Sequence, residues 1–191
     1  MKNILKLALS LMVFATVACV GLAFVYEGTK EQISVNQSAK LNNALKEIFG
    51  EDTEFDEIKD LPASSDGAVT FTAAYRLKKE NTVTGMALTA QDTGFSDILE
   101  ALVGIGSDGK IVGVRVLKDT DTPGLGAKAA LPTFYGQFAG MTADGTIKVT
   151  KDGGAVEAIT AATITSRAVS LLVNTAGEAG KKWLAAEGAL K

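Results

Sequence analysis

The chain has 191 residues, a formal charge of −3, a single cysteine and no histidine. That length allows one domain of ordinary size plus an appendage, and the charge gives no support to a nucleic-acid partner. Without histidine there are no His-based triads or His proton relays and few routes to a zinc site; a lone Cys19 forms no internal disulfide or thiol cluster, so any redox chemistry falls to an organic cofactor.

Residues 7–26, LALSLMVFATVACVGLAFVY, form an uncharged run. At about 1.5 Å per residue the run spans about 30 Å, the thickness of a bilayer's hydrocarbon core. Lys2 and Lys6 precede it, while Glu27, Lys30 and Glu31 follow. The positive-inside rule then keeps the N-terminus in the cytoplasm and sends residues 27–191 to the outer side of the cytoplasmic membrane. A cleaved signal peptide would have a shorter apolar core and a small-x-small site, which ATVAC approximates. A lipoprotein signal would make Cys19 the lipid-bearing residue, but Thr16 stands three before it, where Leu is usual. The expectation is an uncleaved single-pass anchor over residues 1–28.

Residues 29–49 place Ile33, Leu41, Ala44, Leu45 and Ile48 at largely helical spacing, which predicts a stalk. Residues 50–66 are acidic and turn-rich and read as a linker; their five acids before Lys59 read as a solvated face. The stalk and linker would thus cover 29–66, and a single domain 67–191. Strand patterns begin with AVTFTAAYRLK and TVTGMALTAQ, a plausible hairpin. ILEALVGIG and IVGVRVLKD flank Ser107-Asp108-Gly109-Lys110, where Asp-Gly between two β-rich runs signals a tight hairpin. TIKVTK (146–151) reads as a further short strand, and helical patterns occupy 126–139 and 165–187. Strands mixed with helices, without regular βαβ alternation, predict an α+β fold with a mostly antiparallel sheet and flanking helices.

Two stretches could carry chemistry. EAITAATITSRAV (157–169) gathers four hydroxyls, Thr160, Thr163, Thr165 and Ser166, where a helix begins. The plain structural role is a cap, with Thr163 or Thr165 accepting from backbone N–H groups, but one hydroxyl is enough for that. The functional role uses the free N–H groups and positive dipole end of a helix start, which favour a phosphate; Ala161 and Ala162 let backbone come close, and Arg167 could add a charge-assisted contact. DTDTPGLGAKA (119–129) offers Pro123-Gly124, the makings of a type II turn, and Gly124-Leu125-Gly126, which clears side chains where something flat must approach backbone. Asp119 and Asp121 suggest a calcium loop only superficially, because Ala130 occupies the place of the closing Glu; no metal is expected. A third stretch, TGFSDI (93–98), reads as a turn.

TPGLG preceded by an acid, with TAATITSRAV some 35 residues later, resembles the paired motifs of the FMN-binding G component of Rnf electron-transport complexes, and of the related C component of the sodium-translocating NADH:quinone reductase. GFSD is similar to that family's Gly-Tyr-Ser-Gly turn. The resemblance covers nearly the whole chain, anchor included. It implies FMN held covalently by a phosphoester to Thr163, attached by a flavin transferase that uses FAD and releases AMP. Thr160 and Ala162 match the transferase's recognition sequence, and Thr122, Pro123, Gly124, Leu125 and Gly126 match the loop that lies against the flavin. Thr165 and Ser166 would complete the cofactor-binding set by satisfying phosphate oxygens. Four positions depart from the pattern: Ala161 replaces a Gly, Glu157 replaces an Asp, and Asp119 and Asp121 replace a His and a Glu. A Gly at positive φ is poorly replaced by Ala.

The resemblance therefore implies an electron-carrier subunit of a membrane-bound, ion-translocating ferredoxin/NAD oxidoreductase complex, whose partners are the other subunits of that complex, the transferase and the membrane. Such a subunit would convert no diffusible substrate alone. The C component of the quinone reductase, a free-standing extracytoplasmic flavoprotein and a scaffold that has lost its flavin are the alternatives.

Overall fold

The computed structural model describes residues 2–80, 82–93, 98–118 and 122–191. The predicted turn at Gly94-Phe95-Ser96-Asp97 and the acids Asp119 and Asp121 lie outside the described residues. The chain divides into two compact units, one ending at Lys40 and the other running from Leu41 to Lys191.

Helix α1 spans Lys2–Phe49. Its apolar stretch is long and apolar enough to cross a bilayer, and none of it is covered by the rest of the chain. Thr16 and Thr29 turn their hydroxyls inward to the carbonyls of Met12 and Val25, both at 2.8 Å, so neither presents an open polar group on that surface. The helix stops at Gly50, whose φ of 86° only glycine adopts freely and whose N–H closes on Lys46 C=O at 2.8 Å.

The second unit is built on a five-stranded antiparallel sheet in simple sequence order: β1 (Glu54–Glu57), β2 (Thr70–Lys79), β3 (Thr82–Thr93), β4 (Ile98–Gly106) and β5 (Ile111–Lys118). The predicted hairpins are both present. In the second, Gly109 takes a φ of 72° and Asp108 Oδ1 accepts from Lys110 N–H at 3.1 Å, which explains the Asp-Gly pair.

Alternation along the strands gives the sheet two apolar faces. Met86, Leu88, Val103, Ile105, Ile111 and Val114 face α3 (Thr163–Ala186) and bury against its Val169, Leu172, Val173 and Ala176. Ile111 and Val114 share a face despite odd spacing because the β4–β5 register shifts between Gly104 and Ile105, a bulge. Helix α3 comes close through glycine: a Cβ on Gly180 would stand 2.8 Å from Ile105 Cδ1. The other face carries Leu77, Ala87 and Leu102, covered by Ala44, Leu45, Ile48 and Phe49 from the end of α1. A Cβ on Gly104 would meet the Phe49 ring at 2.4 Å, so a bare backbone is needed there. Glu47 adds an ion pair to Arg115 at 2.8 Å, and the Arg115 guanidinium lies 4.3 Å from the Tyr135 ring centroid.

The α+β expectation with a mostly antiparallel sheet and flanking helices therefore holds, with local corrections. The acidic stretch 50–66 is not all linker: Glu54–Glu57 is the sheet's edge strand, paired from Glu54↔Lys78 to Glu57↔Tyr75, with Asp56 bonded to Lys78. Residues 41–49 belong with the sheet, not with a stalk that ends outside it. Residues 146–151 form no ladder strand. They hold one parallel bridge, Val149↔Val156, followed by a 3-10 turn at Thr150–Asp152. The helical pattern at 126–139 becomes three short pieces, a 3-10 turn at Gly126–Ala130, α2 (Pro132–Tyr135) and a 3-10 turn at Gly136–Phe138.

Candidate functional site

The two motifs, about 35 residues apart in sequence, meet across one cleft of about 360 Å³. Thr122, Leu125 and Gly126 form one wall; Ala161, Ala162, Thr163, Ile164 and Thr165 form the other. That volume is in the range of small-molecule sites. Six of the ten residues proposed from sequence line it. Pro123, Gly124, Thr160 and Ser166 do not, and the first two act through the turn they make.

In the first wall, Leu125 N–H donates to Thr122 C=O at 3.1 Å, and Gly124 sits at the third position of that turn with φ 79°. This is the pattern Pro-Gly predicts for a type II turn. Beyond it the chain winds into the 3-10 turn, with Gly126 and Ala129 buried and Leu125 left 40% exposed over the cleft.

In the second wall, helix α3 begins at Thr163. The predicted hydroxyl cap is absent: the N-cap is Ala162, with no side-chain hydrogen bond to the helix start. Ser166 N–H makes the first helical bond, to Ala162 C=O at 3.0 Å. The amides of Thr163 and Ile164 lie ahead of that ladder and beside the cleft. Ser166 is fully buried and spends its hydroxyl locally, accepting from Ile159 N–H and donating to Ala162 C=O, each at 2.9 Å. It therefore shapes the loop from beneath and is not placed to meet a ligand. Thr165 is buried, Thr163 half-buried, and Thr160 exposed outside the cleft. Ile164, which no sequence motif singles out, stands 52% exposed on the cleft wall, an apolar counterpart to Leu125.

The loop before α3 is a tight turn. Ala162 N–H donates to Ile159 C=O at 3.0 Å, and Ala161, the residue before it, has φ 63°. Among the described residues only Glu80 shares such a φ without being glycine. The position where the related motif carries Gly is thus one whose backbone asks for Gly.

Arg167 does not face the cleft. Its guanidinium makes a two-point pair with Asp152, Nε to Oδ2 and Nη2 to Oδ1, both 2.7 Å. Hydrogen bonding from Arg167 holds the Asp152 carboxyl below the ordinary carboxylate range. The expected contact between Arg167 and a phosphate is therefore replaced by a strut between the first turn of α3 and the 150–152 turn. None of the eight lining residues is charged. The cleft combines hydroxyls, small residues, two exposed aliphatic side chains and a helix mouth. Those features suit a ligand with a flat apolar ring and an anionic tail. Among the described residues no group of carboxylates or thiols is arranged to hold a metal ion.

Two family models match the chain. The FMN-binding domain family model matches residues 94–178, and that of the RnfG N-terminal region matches residues 1–48. The chain is 33% identical over 169 residues to the G subunit of the ion-translocating oxidoreductase complex of Methanosarcina acetivorans, covering 88% of this chain and 89% of that one. It is 34% identical over 189 residues to the G subunit of the Na(+)-translocating ferredoxin:NAD(+) oxidoreductase complex of Acetobacterium woodii, covering 91% and 89%. The crystal structure of Shewanella oneidensis NqrC superposes with a TM-score of 0.54 at 16% identity, over 74% of this chain and 88% of that one, a likeness of fold.

Proposed function

We propose, from the premise that this chain belongs to the RnfG family of ion-translocating oxidoreductase subunits, that it is a membrane-anchored electron carrier holding FMN in the cleft through a phosphoester to Thr163. The observation that carries the reading is the position of Thr163. Its hydroxyl stands at the first residue of a 24-residue helix with no side-chain cap, in the wall opposite the glycine turn.

Each part of the cleft has a task in this reading. Thr163 Oγ would form the P–O bond, while AMP leaves from FAD and the hydroxyl proton is lost. The amides of Thr163 and Ile164 and the dipole of α3 would hold the remaining phosphate oxygens, a task that needs no cationic side chain. Leu125, Gly126 and Ile164 would take the ring, with Gly126 allowing backbone approach. Bound there, FMN would supply one- and two-electron transfer. A covalent tether suits a site on the outer face of the membrane, where a dissociated cofactor is lost. The net positive start of α1 supports that orientation, with residues 41–191 outside and electrons exchanged with other subunits of the complex.

The test is expression of the full chain with an FAD-dependent flavin transferase, followed by intact-mass measurement and peptide mapping. The expected result is an increment of FMN less one water on the peptide containing Thr163, absent from Thr163→Val. Unmodified native chain, or flavin fluorescence that survives in denatured Thr163→Val, would overturn the assignment.

A further inference from the structure

The cleft's two walls come from different parts of the chain, and one side chain outside both of them links their segments by a pair of hydrogen bonds. Gln137 lies in the 3-10 turn Gly136–Phe138, which follows the wall that starts at Thr122 after the extended Leu131 and α2. That turn is bolted to the core by its neighbours: Phe138 is fully buried and Phe134 meets it edge to face at 5.7 Å. From this fixed base the Gln137 carboxamide reaches the backbone of Glu157. Glu157 N–H donates to Oε1 at 2.8 Å, and Nε2 donates to Glu157 C=O at 3.3 Å.

A carboxamide is the side-chain group that offers one donor and one acceptor in a plane, so it can stand in for a neighbouring strand's peptide. The contact takes only backbone atoms of Glu157, and the side chain at 157 remains exposed. Glu157 opens the loop that ends at the acceptor threonine. Its downstream anchors, the Ile159–Ser166 bond and the Ala162–Ile159 turn, are internal to that loop and α3. Gln137 adds an anchor from the opposite wall's segment, next to the backbone bonds that join Val156 to Lys148 and Thr150.

We propose that Gln137 is the positioning residue of the cleft, setting the separation between the glycine turn and the loop that presents Thr163. The inference rests on the reading of Thr163 as the acceptor. Without the carboxamide, the loop keeps its internal bonds but loses its register against the other wall, so Thr163 Oγ is presented less well to the transferase.

The experiment uses the full-length chain with the transferase and FAD, and follows the initial rate of FMN attachment by intact mass. Hydrogen exchange at the Glu157 amide is measured in the same proteins before loading. Gln137→Ala should lower the attachment rate about tenfold and speed exchange at Glu157 by a similar factor, as for loss of a hydrogen-bonded pair. Gln137→Glu keeps the acceptor for Glu157 N–H but loses the donor and sets a carboxylate against a carbonyl. Its attachment rate, taken as a ratio to wild type, should be low at neutral pH and recover as pH falls toward about 4.3, where the protonated acid donates again. A role confined to general stability would shift the unfolding midpoint with pH but leave the loading rate of the folded chain at the wild-type value. Gln137→Ala that loads and exchanges at wild-type rates overturns the inference alone, as does a ratio for Gln137→Glu that ignores pH; the second variant decides if the first fails to fold. A wild-type chain that takes no FMN on Thr163 overturns the acceptor reading and the inference with it.

Discussion

Ala161→Gly should stabilise the domain, against the usual sign of an Ala-to-Gly change. Ala161 has φ 63°, and an L-residue in the left-handed region is disfavoured by about 1–2 kcal/mol. Glycine removes that cost but raises the entropy of the unfolded chain, which takes back about 0.5–1 kcal/mol. The methyl group is exposed, so its removal forfeits little buried surface. The balance is a gain of about 0.5–1 kcal/mol, or an increase in Tm of about 1–4 °C for a unit of this size. The neighbouring residue is the control. Ala162 is buried at φ −133°, and Ala162→Gly should cost about 1.5 kcal/mol from a lost methyl and added chain freedom. Thermal and urea unfolding of the detergent-solubilised chain, before loading, reads both variants. Covalent loading should also quicken in Ala161→Gly, since the turn then reaches its geometry without strain. A Tm for Ala161→Gly equal to or below wild type would refute the reasoning, and a parallel fall in both variants would show that φ at 161 is not the governing term.

Gly177→Ala would set a methyl 2.3 Å from Ala143 Cβ and 3.0 Å from Ile111 Cδ1, so it should destabilise by about 2 kcal/mol, read as a lower urea midpoint at unchanged slope. Asp152→Asn removes the strut to Arg167. Because the native Asp152 carboxyl titrates below its unfolded value, its stabilisation is full above the ordinary range near about 3.9 and is lost as pH falls through the depressed native value. The stability gap between wild type and Asp152→Asn should therefore stay constant from neutral to mildly acid pH and close below about 3.9; a gap that widens on acidification would contradict the pairing. In intact cells, protease added outside should digest residues 41–191 and spare the apolar part of α1; full protection would reverse the proposed orientation.

What could be read from sequence divides along the range of the interactions involved. The apolar run of α1, the Asp108-Gly109 hairpin, the Pro123-Gly124 turn and the 3.6 period of α3 are local patterns, and each appears close to where its residues imply. Glu54–Glu57 could not be read as a strand, because its charged pattern has little β preference of its own. It forms by pairing with β2, helped by the Asp56–Lys78 contact. Thr146–Lys151 failed in the opposite sense. Its alternation suits a strand, yet the sheet ends at β5, and Val149 finds only a bridge to Val156. The role of 41–49 was hidden for a similar reason. Helical spacing shows that Leu45 and Ile48 share a side, but only the bare Gly104 and Gly113 of the sheet reveal where that side goes.

The same division governs the site. Four hydroxyls in one short stretch suggested several ligand contacts, but they serve different ends. Thr163 and Thr165 line the cleft, Ser166 closes the loop beneath it, and Thr160 faces solvent as the second residue of the turn. Composition cannot separate these roles, because a hydroxyl that organises backbone and one that meets a ligand are the same chemical group. Arg167 shows the complementary error. Its place one turn into a helix that begins at the cleft suggested an anion contact, but Asp152, fifteen residues earlier, takes the Nε–Nη2 edge of its guanidinium. A phosphate held in this cleft would then depend on oriented amides, whose strength follows from loop geometry more than from charge. That is why backbone φ at 161 and the carboxamide at 137, neither of them a charged group, are the places where loading should be most easily changed.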